Sequence, residues 1–94
     1  MREIERVQDF AARLRSKFDA GAPPEELLMY AENLTALVES LKTSLPKDMP
    51  APISLNRHLA FLDRRLREGK PGECELDIKD ICDRDLPALM RAFQ

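Results

Sequence analysis

Apolar residues recur at steps of three and four through most of this chain, and that period is the signature of helices burying one side. In the first segment Ile4, Val7, Ala11, Leu14 and Phe18 share a narrow face, widened by Phe10. Arg2, Arg6, Asp9, Arg13 and Lys17 take the opposite side. The second segment is the most apolar. Leu27, Ala31, Leu34, Val38, Leu41 and Leu45 form its row, and Leu28, Tyr30 and Leu37 flank it. A third row holds Leu55, Leu59, Leu62 and Leu66, with Phe61 beside it. Charged residues make up 34% of the chain and aromatics 5%. That balance suits helices with charged outer faces and suits a sheet poorly, because strands favour β-branched and aromatic side chains.

Glycine and proline set the boundaries. Gly21 stands where a left-handed residue ends a helix without steric cost. Pro23 and Pro24 open the next, since a first-turn N–H has no helical partner to lose. Pro46 closes it. The spacing predicts helices over about 3–19, 24–45 and 53–68, the third capped by Ser54 and stopped at Gly69. Between the last two lies a connection over 46–52, stiffened by Pro46, Pro50 and Pro52, with Met49 placed to pin it to the core. A short helix over 72–83 carries Cys74, Ile78, Ile81 and Cys82. Asp85 then reads as the N-cap of a last helix with Leu86, Leu89, Met90 and Phe93 on its apolar side. The fold class expected is all-α: a small antiparallel helical bundle of three longer helices plus two short C-terminal ones, residues 1–94 forming a single domain.

Several function classes are disfavoured. A net charge of −2 gives no electrostatic reason for nucleic-acid binding. The start Met-Arg-Glu-Ile-Glu-Arg is charged and amphipathic, unlike a secretory leader, and no apolar stretch is long enough for a bilayer. Cys74 and Cys82, eight residues apart, sit roughly 12 Å apart along a helix axis, too far for a mutual disulfide. Two reduced thiols in a cytoplasmic protein are expected. Two cysteines and the lone His58 do not make a four-ligand zinc site. No phosphate-binding glycine loop and no nucleophile elbow is present, so neither cofactor nor catalytic activity is expected.

His58 is expected to be structural or at the surface. A ribonuclease pattern ending on it needs an arginine before a spacer of four to six residues, and the chain has Ala51, Pro52 and Ile53 there.

Charge is segregated instead. Arg57, Arg64, Arg65 and Arg67 crowd the third helix, whereas Glu73, Glu75, Asp77, Asp80, Asp83 and Asp85 follow within thirteen residues. Asp77, Asp80 and Asp83, three apart, could share one side of a helix; the run lacks a calcium-loop pattern and reads chiefly as a solvated face. Neighbouring segments of opposite sign pair internally or select partners. The second helix also has more leucine than one stripe needs, which fits either a central position or an edge that closes a homodimer.

In outline the chain is similar to death-fold adaptor domains and other small helical docking modules, an analogy of architecture that no motif carries. The function expected is a helical protein–protein interaction or adaptor domain, self-associating, with a protein or a second copy as partner. Arg57, Arg64, Arg65, Arg67, Asp77, Asp80 and Asp83 are its candidate binding residues, and the 46–52 connection and third helix border the surface. The alternative is a nucleic-acid-linked regulator using the same arginines. On the docking reading, reversing Arg64, Arg65 and Arg67 to Glu disturbs association and leaves thermal unfolding nearly unchanged.

Overall fold

The computed structural model describes residues 2–92. Helix α1 spans Glu3–Asp19, α2 Pro24–Lys42 and α3 Pro50–Arg67. A 3₁₀ turn over Pro71–Cys74 leads into α4, Glu75–Asp80. A π turn over Ile81–Asp85 then passes into α5, Leu86–Arg91. The architecture is an all-α helical bundle, and no strand occurs among the described residues.

The apolar rows are the core. Ile4, Val7, Ala11 and Leu14 of α1 meet Leu27, Ala31, Leu34, Val38 and Leu41 of α2; Leu55, Leu59, Leu62 and Leu66 of α3 complete one cluster with Cys74, Ile78, Ile81, Leu86 and Leu89. Each leucine fully removed from water contributes about 1.5–3 kcal/mol. Lys17 pairs with Glu26 beside the first turn and Ser40 bonds Glu3 at the other end, so α1 and α2 run in opposite senses as a hairpin. The leucine surplus of α2 is used by the core: Leu28, Tyr30, Leu37 and Leu45 pack half-buried against it.

Both predicted glycine stops occur. Gly21 has φ 78° and Gly69 φ 73°. Ala22 N donates to Lys17 O and Lys70 N to Arg65 O, the six-to-one bond that closes a helix through a left-handed residue.

Three boundaries differ from the sequence reading. Helix α2 ends at Lys42, not near residue 45, because its last turn tightens: Ser44 N and Leu45 N reach carbonyls three residues back, and Thr43 Oγ1 donates to Ser40 O. Helix α3 begins at Pro50, so the connection shifts from residues 46–52 to 43–49. Pro50 and Pro52 lie in its first turn, where proline costs no hydrogen bond. Ser54 is therefore inside the helix and is no cap. Finally, residues 71–91 form one continuous helical run. Asp85, with φ −69° and ψ −46°, is helical and is no N-cap. Phe93, expected on the last helix, lies outside the described residues.

The π turn has a physical reason. Asp77, Ile81, Asp85 and Leu89 are all buried at strict steps of four. In an α-helix such a row drifts roughly 40° per step; wider winding keeps it facing inward. Pro87 favours the same widening, since it has no N–H and its ring crowds the carbonyl four residues back.

Leu62 is fully buried and Leu76 is 73% exposed. Leu62→Ala should therefore cost about 2–5 kcal/mol, and Leu76→Ala less than about 0.5 kcal/mol, both read from urea unfolding midpoints.

Candidate functional site

The buried polar groups of the bundle gather where α3 meets the C-terminal run. Asp85 is 2% exposed. Its Oδ1 accepts from Ser54 Oγ at 2.8 Å, and His58 Nδ1 lies 2.5 Å from its Oδ2. Ser54 and His58 are four residues apart on α3, so one helix face presents both donors to one carboxylate. On the outer side His58 Nε2 is 3.6 Å from Asp80 Oδ2. The serine hydroxyl points at the carboxylate and not at the imidazole. The cluster ties α3 to the C-terminal run through Asp85, with His58 mostly buried between Asp85 and Asp80.

The predicted acidic face does not stay together. Asp77, 6% exposed, pairs with Arg65. Asp80 faces His58, and Asp83 reaches across to Arg15 of α1 at 2.8 Å. The three aspartates serve three neighbours, and among the described residues no three potential metal ligands converge. Of the acidic candidates for partner binding, Asp77 is buried against Arg65, while Asp83 pairs with Arg15 at the surface, where both are about half exposed.

The four arginines also divide. Arg65 holds the buried Asp77 and lies 5.7 Å from the ring centre of Phe61. Arg67 bridges Asp63 and Glu32 of α2, each at 2.9 Å. Arg64 pairs only with Glu68 one turn on, both of them exposed. Arg57 is exposed and has no ion-pair partner among the described residues. Arg57 and Arg64 therefore remain outward-facing, while Arg65 and Arg67 are tied to the fold.

Alongside these two cations the outer face of α3 carries exposed apolar side chains. Ile53 is 48% and Phe61 42% exposed. The row Ile53, Arg57, Phe61, Arg64 runs along the side of α3 opposite its leucines. At its start lies an apolar hollow of about 230 Å³ between Leu45, Pro46, Met49, Pro52 and Ile53, with Lys42 and Lys47 also lining it. At the other end Phe61, Arg64 and Arg65 share a hollow with Glu73 of the 3₁₀ turn. The connection and the first turn of α3 line one hollow. Ile53 was missed as part of it because its four-residue step to Arg57 looks like ordinary exposed helix; its signal was apolar bulk outside the leucine row.

Neither thiol is primed for chemistry. Burial, with Asp77 nearby, pushes the Cys74 thiol up to about 11, and burial raises that of Cys82 as well. Cys82 Sγ faces the Ala11 carbonyl of α1 and Cys74 Sγ the Lys70 carbonyl, so neither turns toward the His58 cluster. No family model, curated protein or solved structure matches this chain.

The joint reversal of Arg64, Arg65 and Arg67 expected to spare stability must accordingly be split. Arg65→Glu should lower the melting temperature, because it leaves the buried Asp77 carboxylate facing a like charge. Arg64→Glu should leave it within error by differential scanning calorimetry. The folded state holds the Cys74 proton more tightly than an ordinary thiol with pKa 9.0 does. That contribution is complete below pH 9.0 and is lost as pH rises to about 11. Chemical denaturation across this window should show a steeper loss of stability for the wild type than for Cys74→Ala.

Proposed function

We propose that this chain is a small, non-catalytic helical interaction domain that docks an acidic, amphipathic helix along the outer face of α3. One observation carries the reading: two large apolar side chains, Ile53 and Phe61, stand nearly half-exposed in a row with Arg57, which has no ion-pair partner among the described residues, and Arg64, which pairs with the exposed Glu68 one turn on. Exposed apolar bulk that does not join the core is a mark of a contact surface. Arginine beside it suits such a surface, since its stem packs and its head pairs with carboxylate.

The partner's chemistry follows from the lining. Lys42, Lys47, Arg57 and Arg64 flank the apolar positions, so the complementary surface is acidic. Its own apolar residues recur at three- and four-residue steps, the usual way a helix is read by a groove. The hollow between Leu45, Met49 and Ile53 would take one bulky side chain as an anchor.

The test uses a synthetic helical peptide with glutamates and leucines at alternating three- and four-residue steps, titrated into isotopically labelled protein. Amide shifts should concentrate at Ile53, Arg57, Phe61 and Arg64 and vanish in the R57E/R64E double variant. Shifts scattered over the molecule, or salt-sensitive binding of duplex DNA at the same residues in place of the peptide, would overturn the reading.

A further inference from the structure

We infer that the acidic helix received by this surface is α2 of a second copy of the same chain, in a two-fold pair that seats each α3 on the other's α2. The inference rests on the docking reading above and names its partner. Helix α2 carries four glutamates against one lysine, and α3 four arginines against one aspartate, so the two have net charges of −3 and +3. The outward row of α2 is Glu25, Met29, Glu32, Ala36 and Glu39, at steps of four and three. That of α3 is Ile53, Arg57, Ala60 and Arg64, at the same steps. The partner's expected pattern, glutamates interleaved with apolar residues at helical spacing, is already present in this chain.

The registers agree. Within one molecule Arg67 meets Glu32 at 2.9 Å, and Asn56 shares a hollow of about 430 Å³ with Glu39. Position therefore rises along α3 as it falls along α2. Arg57 stands level with Glu39, Ala60 with Ala36, and Arg64 with Glu32. A two-fold axis parallel to these helices lays α2 of one copy over α3 of the other without changing height. Arg57 then faces Glu39, Arg64 faces Glu32, and the two small alanines meet between them, where they permit close approach. Symmetry makes each contact twice.

A second, independent feature marks the receiving end. Asn56 Oδ1 is buried and has no hydrogen-bond donor among the described residues, a costly state for a polar atom. Asn56 and Glu39 line the same hollow. A guanidinium has five N–H donors in a planar fork; one pairing with Glu39 keeps donors free for Asn56. Arg57 of a second copy arrives at that level, whereas the molecule's own Arg57 points away from the hollow.

Sedimentation velocity over a wide concentration range tests this. At low salt the wild type should approach twice the monomer mass, and high salt should reverse it by screening. R57E and E39R should each weaken the dimer by at least about tenfold, equivalent to about 1.4 kcal/mol. An equimolar mixture of the two should regain it, because in the mixed pair each altered site meets its complement. N56A should weaken it less. Circular dichroism of each variant keeps misfolding separate from lost contact. A wild type that stays monomeric throughout, or a mixture no better than either variant alone, overturns the inference. The acidic-peptide titration repeated on E39R judges the docking reading separately, since that variant keeps the α3 face intact and does not compete with itself.

Discussion

The bundle depends on the carboxylate of Asp85 being answered twice from α3. Removing a carboxylate from water costs several kcal/mol unless hydrogen bonds replace the water. Ser54 and His58 supply them. Leucine rows attract without direction, and those of α3 and the C-terminal run could slide past one another by a turn at small loss. A buried acceptor with two donors on one helix face cannot slide. The fastening thus sets the register of residues 71–91 on α3, and the π turn that aims Asp85 inward follows from it. The same register puts Asp77 opposite Arg65 and leaves Asp80 beside His58.

That fastening also decides which charges are left over. Once Arg65 holds Asp77 and Arg67 spans to Glu32, Arg57 and Arg64 are the arginines of the third helix that pair with no other element among the described residues. Exposed pairs such as Arg64 with Glu68 contribute about 0–1 kcal/mol, so Arg64 is readily released to another carboxylate. The proposed contact surface is what remains of α3 after the fold has taken its share, and it is defined by subtraction as much as by pattern.

Most of the fold was legible because it rests on periodicity and on punctuation that acts locally. The three long helices, their buried rows and the two glycine stops are all consequences of spacing and backbone sterics. What was illegible depends on contacts between distant segments. Asp85 has the composition of a cap and stands just before Leu86 and Pro87. Only the presence of Ser54 and His58 across the bundle turns it into a buried acceptor. Pro50 and Pro52 are equally compatible with a stiff loop and a first helical turn, and it is the turn that buries Pro52. At the surface, the expected acidic face dissolved because Asp77, Asp80 and Asp83 answer three different elements. The arginine cluster kept two of its four members for the same reason.

Apart from Arg67, which meets Glu32, the arginines of α3 find no glutamate of α2 within their own chain among the described residues. Packed helix axes lie about 8–10 Å apart, and a side chain on the outermost line of each leaves its own helix in a direction that diverges from its neighbour's. Arg67 reaches Glu32 because it leans into the groove; Arg57, one half-turn round from the leucines, does not. Adjacent helices of opposite charge therefore leave, on one molecule, two complementary rows that only a rotation can bring together. A two-fold operation is the simplest one that joins both at once. It also leaves no unpaired copy of either row, whereas a head-to-tail contact would leave one of each exposed at every chain end.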